Sequence, residues 1–191
     1  GIDKPDLRYD MKLADLTALA KPCPQFPKFD TAELVVALVL DSKYPDMSKK
    51  ELDKKLDRKA LESVDELFKL AEKKGVGAGI FWVKILDLAN KKFESPLSKN
   101  FSDDQFAAWA KKANAKDNTV MVLLAGPNQH EETRMCMGKL RHSFGSELGL
   151  RSHGFSALWV VDFPLLEWDE DEGRCIAMHH PFTSPAKGES Y

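Results

Sequence analysis

The apolar positions of the chain fall into short blocks of two different periods. Glu33-Leu34-Val35-Val36-Ala37-Leu38-Val39-Leu40 is a compact apolar run closed by Asp41, and it predicts a buried strand. Leu61, Val64, Phe68 and Ala71 recur at helical spacing, with Gly75 placed to stop the helix. Ala78 to Ile85 and Thr119 to Ala125 predict two further strands. Between them, Ser95-Pro96 breaks the chain. Ser102-Asp103-Asp104-Gln105 has the form of a capping box, ahead of an apolar face made by Phe106, Trp109, Ala110 and Ala113. Asn128 and Glu131 can open another helix, lined by Met137, Leu140, Phe144 and Leu148 and stopped at Gly149. Strands alternating with helices over such polar connections predict an α+β fold. We expect a two-layer sandwich, with helices on one face of a mainly antiparallel sheet. Residues 1–30 read as connecting structure, and residues 41–59 as an exposed loop or a solvated helix.

After Leu150 the pattern changes. Ala157-Leu158-Trp159-Val160-Val161-Asp162-Phe163 predicts an apolar strand stopped by Pro164. The acidic run Glu167-Trp168-Asp169-Glu170-Asp171-Glu172-Gly173 suits an exposed turn, and Arg174 to Met178 the returning arm of a hairpin.

Composition narrows the class. The 191 residues are 43% hydrophobic and 30% charged, an ordinary globular balance. A net charge of -2 argues against a free-standing nucleic-acid binder, yet leaves room for a local basic patch. Cys23, Cys136 and Cys175 are far apart and form no C-x-x-C pair, so neither a disulfide framework nor a zinc site is expected, and a reducing cytoplasm suits them. No apolar run approaches the roughly 18 residues of a membrane span, and no signal peptide opens the sequence. The chain starts at Gly1 without an initiator Met, from which we expect a piece of a longer protein.

The candidate chemistry is sparse. His179-His180 could hold a metal, but adjacent residues on an extended chain point to opposite faces and cannot share one ion easily. The acidic run could attract Mg2+ or be a solvated hairpin tip. Gly75-Val76-Gly77-Ala78-Gly79 precedes a strand, the reverse of a phosphate cradle, and reads as a helix stop and turn. The lysines from Lys49 to Lys74 alternate with acids and read as a solvated surface, with an RNA-facing patch as the alternative. No nucleophile–base constellation stands out.

Three stretches carry a resemblance. Gly1-Ile2-Asp3-Lys4-Pro5-Asp6-Leu7-Arg8, Leu158-Trp159-Val160-Val161-Asp162-Phe163-Pro164, and Ala177-Met178-His179-His180-Pro181-Phe182-Thr183-Ser184-Pro185 resemble segments of bacterial-type aspartyl-tRNA synthetases. The first resembles the place where the chain leaves the catalytic core of those class II enzymes, and the others the place where it returns. Gly79 to Lys84 and Ser95 to Lys99 resemble the family's insertion, the GAD domain, which also occurs in a tRNA-dependent amidotransferase subunit. Where the family usually has a Gly-rich turn after the first inserted strand, this sequence has Leu40-Asp41-Ser42-Lys43-Tyr44-Pro45.

The resemblance implies an exit segment at 1–29, an insertion domain at 30–150, and a return segment at 151–191 carrying a core hairpin. It implies an enzyme that activates L-aspartate with ATP and Mg2+ and transfers it to tRNA-Asp, as a homodimer. It implies that His179, with His180 beside it, binds the aspartate. The arginine that grips ATP and the third class II motif are absent from these residues, so no catalysis and no bound cofactor are expected of this piece alone. The alternative is a non-enzymatic module that contacts tRNA or aids assembly.

Overall fold

The computed structural model describes residues 6–128, 131–154, 156–159, 165–169 and 172–178. Two compact units emerge, Gly1–Gly154 and Phe155–Tyr191.

The first unit is built on an antiparallel sheet in the order β1-β2-β5-β3-β4: Ala14–Asp15, Leu34–Leu40, Thr119–Gly126, Gly79–Asp87 and Lys92–Glu94. All four pairings are antiparallel, with Ala37 opposite Leu123 and Trp82 opposite Val122. The expected α+β class and antiparallel sheet are therefore present. The helices, however, cover both faces rather than one.

The reason lies in the strand sequences. Apolar residues occupy consecutive positions of β2 and β5, so side chains of both parities need burial. Leu34, Val36, Leu38 and Leu40 of β2 join Val120, Val122 and Leu124 of β5 on one face. That face is covered by α3 (Lys49–Lys55), α4 (Glu62–Lys74) and α6 (Glu132–Glu147), through Leu52, Val64, Leu67, Met137, Leu140 and Phe144. Val35, Ala37, Met121, Leu123 and Ala125 face the other way. There α1 (Thr17–Ala20), α2 (Pro27–Asp30) and α5 (Asp103–Lys112) supply Ala20, Phe29, Phe106 and Trp109. The segment before residue 30, expected only to connect, thus delivers two short helices and part of a core. Phe29 is fully buried among Phe26, Phe81, Phe101 and Trp109, with ring centroids 5.0–6.0 Å from its own.

Local signals behave as the residue types require. Ser102 and Gln105 form a reciprocal capping box at the start of α5, and Ser48 and Glu51 form one at α3. Gly75 ends α4 at φ 68, a left-handed conformation that glycine adopts without steric cost.

In the second unit, Leu166–Asp169 (β6) pairs with Arg174–Ala177 (β7), Trp168 standing opposite Cys175. The outgoing arm is therefore not the expected 157–163 run. Residues 157–159 carry no strand, and 160–164 lie outside the described residues. Leu166 and Trp168 alternate with Glu167 and Asp169, so the first acids belong to the strand instead of the turn. Gly173 takes φ 60 in the turn.

One partly exposed ionic network, packed over the buried Tyr44, ties the first unit together. Glu147 at the end of α6 receives Lys43 at 2.8 Å, Lys55 at 3.0 Å and the Tyr44 hydroxyl at 3.0 Å. Burial opposes ionisation of the Glu147 carboxyl, but the three donors outweigh it and pull its pKa down to about 2. A carboxylate depressed in the folded state adds stability above its unfolded pKa, and that stability fades as pH falls towards 2. Glu147→Gln should lower the unfolding free energy at pH 7 by about 1–2 kcal/mol, a deficit that shrinks below pH 4. Urea denaturation at pH 7 and pH 3 checks both halves. Phe29→Ala should cost about 3–5 kcal/mol in the same assay, as a core residue would and a linker residue would not.

Candidate functional site

His179 and His180, the residues singled out for substrate binding, lie outside the described residues. The other sequence candidates have structural explanations. Asp169 accepts the Glu172 amide at 3.0 Å, and Glu172 is paired with Arg174, so this part of the acidic run closes its own turn. Among the described residues no group of three or more His, Cys, Asp or Glu side chains could hold a metal ion. At Gly77 a Cβ would meet the Lys28 carbonyl oxygen at 2.7 Å, so this glycine allows close backbone packing. Several cations of the lysine-rich stretch are matched by acids: Arg58 by Asp65 and Glu72, Lys69 by Asp65, and Lys74 by Glu132. Burial pushes the Cys136 thiol up to about 11, which removes it as a nucleophile near neutral pH.

What the structure assembles is a neck, where the first residues of the unit lie beside the last ones against α6. Ser152 donates both its amide and its hydroxyl to the Arg8 carbonyl, each at 2.9 Å. The Arg8 guanidinium grips Asp6 in a two-pronged pair at 2.9 and 2.7 Å. That hydrogen bonding holds the Asp6 carboxyl well below the usual carboxylate range. Arg151 and His142 stand at 3.7 and 3.8 Å from the same carboxylate, and Arg151 Nη2 meets His142 Nε2 at 2.8 Å.

Next to His142 on α6, Arg141 donates to the carbonyls of Met11 and of Tyr9, the latter at 3.0 Å. Its guanidinium also lies 4.3 Å from the centre of the Tyr9 ring. The ring can sit this close to α6 because residue 145 is glycine; a Cβ there would approach the Tyr9 ring to 2.5 Å. Next to the neck runs a groove of about 380 Å3, bounded by the 11–13 segment and α6. Chemically the neck is a clamp rather than a reaction centre: its polar groups are spent on holding two chain segments together.

No protein-family model matches the chain. Its sequence is 39% identical over 186 residues to an aspartate–tRNA ligase of Amoebophilus asiaticus, and 38% identical over 187 residues to that of Flavobacterium psychrophilum. In sequence, the chain is similar to part of the aspartate–tRNA ligases. An aspartate–tRNA(Asp/Asn) ligase of Thermodesulfovibrio yellowstonii is 35% identical over 188 residues. Each match covers 97% of this chain, which spans less than a third (28–29%) of the length of these aspartate–tRNA ligases.

The sequence reading missed the neck. Tyr9, Arg141, Arg151 and Ser152 belong to no motif. The available signal was the pair Gly138 and Gly145, seven residues apart in an otherwise helical pattern and so on one face of α6. Small residues on one face mark a close approach of another segment. Arg141→Met keeps an aliphatic stem over Tyr9 but removes the donors to both carbonyls. It should speed amide hydrogen exchange in residues 8–12 and 150–152 while leaving β2 and β5 protected. It should also cost about 1.5–3 kcal/mol. Unchanged exchange in these two segments would show that the clamp does not hold them.

Proposed function

We propose that the chain is the inserted module of an aspartate–tRNA ligase together with the core segments on either side of it. The observation that carries this reading is the match over 97% of the chain, at 35–39% identity, to proteins named for that activity. In this reading residues 1–29 leave the catalytic core, 30–150 form the module, and 151–191 return to the core. The neck is the stalk through which module and core are joined. The whole enzyme activates L-aspartate with ATP and Mg2+ and transfers it to tRNA-Asp in the cytoplasm, as a homodimer. The piece alone does not catalyse the reaction.

The hairpin supports the reading. Trp159 is 93% exposed, Leu166 53% and Trp168 49%. Large apolar side chains left in water on a two-stranded hairpin, as Leu166 and Trp168 are, and on the segment before it, as Trp159 is, are what remains when a core segment stands without the rest of its core. No helix among the described residues is long and apolar enough to cross a membrane.

His179 and His180 are assigned to the aspartate site. An imidazole offers a hydrogen bond to the substrate's polar groups and restricts its orientation. The test is a chimera in which this chain replaces the matching segment of an active aspartate–tRNA ligase. Aspartate-dependent ATP–pyrophosphate exchange should persist. His179→Ala in the chimera should raise the aspartate KM by about tenfold or more, the scale of one lost charge-assisted hydrogen bond, with the ATP KM unchanged. A silent chimera sinks the assignment to this enzyme. An active chimera indifferent to His179→Ala sinks only the residue's role.

A further inference from the structure

His142 on α6 is more than half exposed, yet both of its ring nitrogens face charged groups. Nε2 lies 2.8 Å from Arg151 Nη2, and Nδ1 lies 3.8 Å from a carboxylate oxygen of Asp6. Asp6 belongs to the segment that enters the first unit, and Arg151 to the segment that leaves it. His142 thus stands between the two chain ends that Arg8 and Ser152 join.

The contact with Arg151 fixes the protonation state of the ring. A guanidinium has N–H donors and no acceptor, so the lone pair must come from Nε2. The imidazole in this contact is therefore neutral, and its proton sits on Nδ1, the nitrogen turned towards Asp6. An imidazolium carries protons on both nitrogens. It cannot accept from Arg151, and its charge repels the guanidinium while it attracts the Asp6 carboxylate.

The surrounding charges decide what that proton does. The entering segment contributes Asp6 and Arg8, the leaving segment Arg151, and α6 itself Arg141. Lys12, Asp15 and Arg134 border the same groove as His142. Arg141 is turned to the carbonyls of Met11 and Tyr9, and Arg134 to Asp15 and Glu131, so neither bonds the ring. Arg8 grips Asp6 with two hydrogen bonds and keeps it ionised far into the acid range. Asp6 is thus constant between pH 5 and 8, the window in which an ordinary histidine changes charge. Protonating His142 adds a third cation to a cluster of one carboxylate and two guanidinium groups.

We propose that His142 is a proton-sensitive joint of the neck: neutral, it ties the segment around Arg151 and Ser152 to α6; protonated, it releases that segment and keeps only the segment around Asp6. Opening takes up a proton, so the open neck gains as pH falls through the histidine range and is lost as pH rises above it. The Glu147 network fades only as pH falls towards 2, so mild acid acts on the neck and spares the core. Every bond of the joint lies within this chain, so it operates whatever larger protein the neck serves.

The test is amide hydrogen exchange on the full 191-residue chain between pH 5 and 8, each rate divided by the intrinsic chemical rate at that pH. The Ser152 amide, which donates to the Arg8 carbonyl at 2.9 Å, is the reporter. Its protection should fall about three- to tenfold from pH 7.5 to pH 5.5, the scale of one lost hydrogen bond, while the amides of β2 and β5 stay constant. His142→Gln keeps an acceptor for Arg151 and takes up no proton, so protection should be high and flat across the range. His142→Lys offers donors only, so protection should be low and flat. His153→Gln, which removes an exposed histidine from the leaving segment, should retain the wild-type slope. Circular dichroism confirms that each variant is folded. Should a variant not fold, NMR titration of the His142 ring in the wild-type chain decides: its midpoint should coincide with that of the Ser152 profile, and midpoints more than about one pH unit apart overturn the joint. A flat wild-type profile, a slope that persists in His142→Gln, a slope lost in His153→Gln, or His142→Lys protected as well as wild type at pH 7.5 overturns it too.

Discussion

Strand β5 has no side facing water. All eight of its residues, Thr119 to Gly126, are buried, and both of its edges are hydrogen-bonded, to β2 and to β3. A strand apolar at successive positions must be covered on both faces, because each unsatisfied apolar area costs about 25 cal/mol per Å2 left in water. That requirement recruits α4 and α6 to one face and α5 to the other. It also draws in the short helices before residue 30, which would otherwise have no reason to fold. The edges of the sheet, by contrast, are short: two residues in β1 and three in β4. Brief edge strands limit pairing with other chains.

Helix α6 is where separate demands meet. Its inner face fills the core with Met137, Leu140 and Phe144, and its end anchors the Glu147 network. A third side carries the neck through Gly145, Arg141 and His142. These demands explain its composition. The helix has a poor apolar stripe and two internal glycines, which lower its own propensity, so it persists because tertiary contacts hold it.

Periodicity and capping made most of the first unit legible before any coordinates. The strand at Leu34–Leu40, the stop at Gly75 and the Ser102–Gln105 box rest on local physics, which residues a few positions apart report directly. The second helical layer was less visible. Its residues Leu16, Phe29 and Trp109 come from distant segments, and Phe29 sits in a short stretch with little periodic signal. The hairpin slipped because a strand reading favoured the apolar run at 157–163, whereas the paired arm alternates apolar with acidic residues. The neck joins residues more than 130 positions apart, and one sequence without its relatives carries almost no trace of such a pair.

The joining of Arg8 to Ser152 has a consequence for folding if the module sits inside a larger enzyme. An inserted stretch of this length, left floppy, would set the host's flanking strands at the ends of a long loop, and closing that loop costs entropy that grows with its logarithm. A module that folds by itself and brings its two ends into contact removes that cost beforehand. To the host, some 140 residues then behave like a turn of a few. Its core can assemble across the gap at the contact order of a protein that never acquired the insertion.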